Sequence, residues 1–134
     1  MNDSKKRRYL LLLTEAQVES ISCALEFYER AGGMGQLGEV LDPWRRRCRP
    51  ANIEPARRAL DEAQNLLTGL PFGASFGICS PEVPDEFRVA YDLHQVLRHR
   101  LAWDRYPQGG TNVVFDKPRQ TGQEPLATIK RKGT

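Results

Sequence analysis

"PDEFRVAYDLHQVLRHRLAWD", residues 84–104, constrains this chain more than any other stretch. Wound as an α-helix, it puts Phe87, Ala90, Tyr91, Leu97 and Leu101 on one face, and Val89, Leu93 and Val96 widen that face. Arg88, Asp92, Gln95 and His99 are left on a narrow opposite side. A helix with so little polar surface has to be surrounded, so the rest of the chain must pack around it. Its start is well marked. Pro84 has the ring geometry of a first turn, and Asp85 and Glu86 suit the positive end of the helix dipole.

Two further helices and two strands are predicted around it. Tyr9–Leu13 reads as a short buried strand by length, although its leucines would suit a helix better. Thr14 with Gln17 three residues on forms a capping box, and Val18, Ile21, Ala24, Leu25 and Tyr28 then make one helical stripe that stops at Gly32-Gly33. "QLGEVLDPW" holds at most a helical turn, ended by Asp42-Pro43. Pro55 opens the next helix and Gly69 closes it, with Ala56, Ala59, Leu60, Ala63, Leu66 and Leu67 as the buried stripe. After a glycine- and proline-rich connection over 70–82 and the long helix, "TNVVFD" (111–116) reads as a strand. The expected fold is therefore α+β: mostly helical, three main helices packed with a small antiparallel sheet of strands 9–13 and 111–116. A basic arm (1–8), one globular domain (9–125) and a basic tail (126–134) complete the organisation.

Composition narrows the function. The apolar run Leu10–Leu13 is far short of the ~20 residues that cross a bilayer. The basic-then-apolar start has neither the length nor the cleavage site of a signal peptide, so no membrane partner is expected. Cys23, Cys48 and Cys79 are odd in number and lack a C-x-x-C pair, which points to reduced thiols in a cytoplasm. With only two histidines, the chain offers no zinc-ligand spacing, and nothing calls for a metal or cofactor. The net charge of +3 conceals segregation. Residues 1–8 hold four bases against one acid, 44–58 six arginines against one acid, and 130–132 three bases, so the remainder is net acidic.

Three stretches invite a functional reading. Gly33, Gly35 and Gly38 spell G-x-G-x-x-G, but a helix precedes them where a dinucleotide fingerprint needs a strand. The stretch is better read as a helix exit, or as a loop whose amides meet an anion. "WRRRCR" sets Arg45, Arg46, Arg47 and Arg49 beside Trp44, a combination that can bind phosphate and stack on a base, or simply form a solvated basic surface. "HRLAWDRYPQGG" gathers Arg98, His99, Arg100, Trp103, Asp104 and Arg105 at a helix end beside a Pro-Gly-Gly turn. The dipole alone favours cations there, and a pocket is the alternative. His94 falls on the apolar face and His99 on the polar one, so they do not converge on a metal. A His99–Asp104 pairing is possible on paper, without a nucleophile elbow to serve.

At these residues the chain resembles a family. "LEFYERAGGMGQLGEV" with "VLRHRLAWDRYPQGGTNVVFDKPRQTGQEPL" is similar to a family of small bacteriophage and prophage proteins that share a G-M-G-Q segment and an H-R-L-A-W-D-x-x-P-x-G-G segment. The resemblance covers about half of the chain and places Arg30, Met34, Gln36, His99, Arg100, Trp103 and Asp104 in the shared motifs. It implies a phage accessory protein acting in the bacterial host cytoplasm, and it carries no catalytic residues. The resulting expectation is a non-enzymatic binding protein that engages a nucleotide-like anionic small molecule or a host or defence protein. Its site would combine Arg30, Met34 and Gln36 with Arg98, His99, Arg100, Trp103, Asp104 and Arg105 in one recess, Trp103 supplying a stacking face. The alternative is a nucleic-acid-binding regulator using Trp44, Arg45, Arg46, Arg47 and Arg49. A hydrolase built on His99 and Asp104 ranks below both.

Overall fold

The computed structural model describes residues 6–133; residues 1–5 of the basic arm and residue 134 of the tail lie outside the described residues. Three α-helices form within it: α1 (Glu15–Phe27), α2 (Pro50–Thr68) and α3 (Asp85–Arg105). α1 starts as its sequence predicts, with Thr14 accepting from the Gln17 amide at 3.2 Å and the Gln17 side chain accepting from the Thr14 amide at 2.9 Å. It then widens into one π-helical turn, Tyr28–Gly33. A 3-10 stretch, Leu37–Trp44, leads on to α2.

α1 and α3 pack antiparallel. Arg105 at the end of α3 reaches Glu15 and Glu19 at the start of α1, both at 2.8 Å. Midway, His94 meets Glu29 at 3.0 Å. At the far end the rings of Tyr28 and Phe87 lie 4.8 Å apart. α3 supplies the core: of the buried apolar residues, Ala90, Val96, Leu97, Leu101 and Ala102 are its own, joined by Leu41 and Val83.

The predicted sheet does not form, and the fold is helical rather than α+β. Among the described residues there is no strand. Residues 9–13 form no ladder with any described residue, and Tyr9, Leu10, Leu11 and Leu12 are 84, 103, 74 and 75 % exposed. Val113–Phe115 instead curl into a 3-10 turn, which the Asn112 side chain caps by accepting from the Val114 amide. Burial outweighs β propensity here, because the turn lays Phe115 against Trp103, ring centroids 5.2 Å apart. The extended alternative would leave that ring in water.

What surrounds α3 is the C-terminal segment. It leaves the helix at Tyr106 and runs back along it, and Thr121 and Gly122 close on Asp92. Asp92 accepts from both backbone amides and from the Thr121 hydroxyl at 2.6–2.9 Å and is almost fully buried. The narrow polar side of α3 is thus the face that this segment covers. The chain then reverses. Glu124 pairs with Lys6 at 3.1 Å, and residues 129–132 share a cleft with Leu11–Leu13 beside the end of α3. The N-terminal arm and the C-terminal tail therefore run side by side in the same direction along α3.

α2 departs from its reading at its start and in its buried stripe, while its end is as expected. It begins at Pro50, five residues before Pro55, which is accommodated within the helix. Gly69, at φ +70°, closes it. Leu66 and Leu67, expected in the buried stripe, are 80 and 77 % exposed. The residue that seats α2 is Gln64, whose side chain accepts from the Leu37 amide at 3.1 Å and donates to the Ala74 carbonyl at 2.7 Å. α2 lies against the 3-10 stretch and the 74–76 segment instead of under the α1–α3 pair, so its leucines face out.

Candidate functional site

The glycine motif is a packing device. A β-carbon at Gly33 would stand 2.6 Å from the Phe87 side chain, and one at Gly32 2.9 Å from it. Gly35 has φ +76°, and its missing side chain leaves room for the Thr68 methyl group. Only glycine meets both demands without strain. The polar groups of the loop are also engaged. Met34 accepts from the Phe76 amide at 3.0 Å, the Gln36 amide donates to the Arg30 carbonyl at 2.9 Å, and the Gln36 side chain reaches Ser75 at 3.4 Å. Arg30 is shared between Glu26 at 2.7 Å and Glu39 at 3.5 Å. These residues tie α1 to α2 and the 74–76 segment.

The second motif lies elsewhere. The 30–36 loop packs near Phe87, at the start of α3, whereas residues 98–105 close its other end, on the order of 20 Å away at 1.5 Å per helical residue. The two groups do not share one recess. Within the second group, Arg100 pairs with Asp104 at 2.7 Å, which holds Asp104 away from His99. His99 stands edge-on to Trp103 at 6.4 Å. Trp103 is half-buried, with Phe115 on one side and Gly109 (φ +79°) against its rim. The Pro-Gly-Gly turn is thus the seat of a Trp103–Phe115 cluster.

Arg98 and Arg105 face a cleft between α1 and α3 of about 300 Å³, walled by Glu19, Cys23, Glu26 and Phe115. At its floor lies a constellation that the sequence reading missed. His94 is 1 % exposed, its Nδ1 is 3.0 Å from Glu29 Oε1, and its Nε2 is 3.4 Å from Glu26 Oε2. The π-helical turn brings Glu29 inside, where its second oxygen has no partner. A wide turn of this kind has no signature in a 3.6-residue pattern, so only the short spacing of Glu26, Glu29 and Arg30 hinted at it. Both imidazole nitrogens face carboxylates and neither faces a hydroxyl or thiol. The arrangement holds α1 against α3, and Ser22 and Cys23 line the same cleft. No His/Cys/Asp/Glu group among the described residues has the makings of a metal site.

Charge decides what the cleft can accept. Arg98 has no hydrogen bond or ion pair among the described residues. Arg105 is divided between Glu15 and Glu19, whose hydrogen bonds raise its already high pKa. Glu26 is itself paired with Arg30 at 2.7 Å. Within the walls Glu19 and Glu26 offset Arg98 and Arg105, so the cleft carries no excess of positive charge. A phosphate seated on Arg98 would meet like charge within the same walls.

The basic cluster is surface. Arg47 lies 4.0 Å over the Trp44 ring and donates to the Pro43 carbonyl at 2.8 Å, so it occupies one face of the indole. Arg45 pairs with Asp42 at 3.3 Å. Arg46 and Arg49 are exposed and make no bond among the described residues.

Exposed apolar side chains are concentrated elsewhere. Leu66, Leu67 and Phe72 are 72–80 % exposed within seven residues, at the end of α2 and in the turn after it. Thr68, between them, packs on Gly35, so this surface adjoins the G-M-G-Q loop. No helix among the described residues is long and apolar enough to cross a membrane. No family model, curated protein or solved structure matches the chain.

Proposed function

We propose that this chain is a non-enzymatic accessory protein of a phage or prophage, working in the bacterial host cytoplasm by engaging a host protein. The motif resemblance carries the phage origin. One observation carries the mode of action: Leu66, Leu67 and Phe72 stand almost bare beside the motif loop, uncovered by any of the described residues. Exposed apolar surface of that density marks protein interaction sites. A leucine pair and a phenylalanine beside a rigid, glycine-packed loop supply the anchors that interfaces rely on. Of the two partner types compatible with the sequence, the anionic small molecule has less support, because its recess is not assembled and Glu19 and Glu26 offset both arginines of the Arg98 cleft.

The test is affinity capture from host lysate with the wild-type chain, L66E/L67E and R98A side by side. A host protein retained by the wild type and by R98A but lost with L66E/L67E supports the reading. Loss with R98A alone, or a nucleotide that raises the melting temperature, returns the small-molecule reading.

Arg46, Arg49 and the open part of Trp44 favour nucleic acid as a second reading. Affinity for DNA or RNA would then fall steeply with salt as each phosphate contact releases counterions. Salt-insensitive binding removes it.

A further inference from the structure

We propose that a second cleft, beneath the C-terminal segment, takes a small organic monocarboxylate, its head held by Lys117 and Arg119 and its apolar body lying against Tyr91. The segment from Phe115 to Thr121 is tied to α3 at its two ends. Phe115 packs on Trp103, ring centroids 5.2 Å apart, and Asp92 accepts from the Thr121 amide and hydroxyl. Trp103 and Asp92 stand three turns of α3 apart, roughly 16 Å at ~1.5 Å per residue. A strap of this length reaches ~20 Å at most, so it has little slack with which to fill the space beneath it. A cleft of about 330 Å³ remains between the strap, Tyr91 and Gln95 of α3, and Ile78. Small-molecule sites begin at about that size.

The polar groups of this cleft are unspent. Tyr91 and Gln95 are half-buried, and neither side chain makes a hydrogen bond among the described residues. The same holds for the side chains of Asp116, Lys117 and Arg119, and for the backbone amides of Lys117, Arg119 and Gln120. A phenol, a side-chain amide, an ammonium and a guanidinium all donate hydrogen bonds. Convergent donors in a concavity with apolar walls are the ordinary make-up of a ligand site.

Charge selects the ligand. Lys117 and Arg119 outnumber Asp116, the acid in the lining, so this cleft carries an excess positive charge where the Arg98 cleft carries none. A single negative charge balances it. A carboxylate supplies that charge together with acceptor sites for all four donors. A doubly ionised phosphate would bring an unbalanced charge beside Asp116. Ile78, Val114 and the Tyr91 ring line the remainder, so the body attached to the carboxylate is apolar.

This inference is independent of the α2 surface, and its test separates the two. Benzoate, phenyl phosphate and benzylamine, each at millimolar concentration, are titrated into the isotope-labelled chain and followed by amide chemical shifts. Benzoate should move the backbone amides of Lys117, Arg119 and Gln120 and the side-chain amide of Gln95, and benzylamine should not. K117A/R119A should weaken benzoate binding about tenfold, through the loss of hydrogen bonds to a charged group, and D116N should tighten it. These side chains are exposed and unpaired, so the helical circular dichroism of both variants should match the wild type. Benzoate that moves none of these amides, K117A/R119A that binds as wild type does, or phenyl phosphate that binds more tightly than benzoate overturns the proposal. L66E/L67E should bind benzoate as wild type does, so the host-protein reading stands or falls by itself.

Discussion

His94 joins two helices through both of its ring nitrogens, and its burial makes that junction costly to break. Replacing it with leucine leaves Glu29 as a nearly buried carboxylate with neither oxygen partnered. Removing one member of a buried ionic pair typically costs about 3–5 kcal/mol. H94L should therefore lower the unfolding free energy measured in urea by that order. H94L combined with E29L should recover much of the loss, since the stranded charge goes with it. A double variant no more stable than H94L would mean that the junction acts by shape and not by charge. A separate expectation attaches to Asp92. D92A removes the acceptor of two backbone amides, and each amide left dry costs about 1–3 kcal/mol. Exchange at Thr121 and Gly122 should become fast well before α3 itself opens.

At the level of elements, the loop after α1 is held by what its glycines lack. G35A should destabilise by about 1–3 kcal/mol, the usual cost of a non-glycine residue in the left-handed region, with Thr68 crowding added. G38A, where a β-carbon meets nothing, should be close to neutral in the same urea titration. α2 carries a pH signature. Arg57 hydrogen-bonds Glu54 and holds that carboxyl below its ordinary range, with coulombic help from Arg57 and Arg58. A carboxyl lowered in the folded state stabilises above its unfolded pKa, and that contribution is lost as pH falls through the folded value. E54Q should flatten the acid limb of the stability curve by lowering stability at neutral pH while leaving it unchanged in strong acid, and the effect is small because the pair is solvent-exposed.

The elements also show what the sequence could convey. The α1 capping box and the central place of α3 were readable because caps and apolar stripes are local signals. The sheet was misread because 9–13 was read from its length and 111–116 from its composition, while their conformations answer to distant partners: Trp103 for Phe115, and none among the described residues for the arm. Leu66 and Leu67 fit a helical stripe equally well whether a neighbour covers them or not. Of the expected site, Arg98 and Arg105 do meet at one cleft, while Arg30 and Gln36 prove to be structural ties. The Glu29–His94 contact, 65 residues apart in the chain, rests on a π-helical turn that periodicity cannot announce.

On the scale of the whole molecule, the ties that hold the ends together span most of the chain. Arg105 to Glu15 bridges 90 residues and Lys6 to Glu124 bridges 118. An all-helical protein is expected to fold quickly because its contacts are local, but chain closure over long distances has to precede the α1–α3 contacts here. Stopped-flow refolding should accordingly be slow for a helical domain of this size. During synthesis, α1 leaves the ribosome without its α3 partner until residues 85–105 have been made. For that interval its apolar stripe and the leucines before it are open together, and the nascent chain is a natural client for a chaperone.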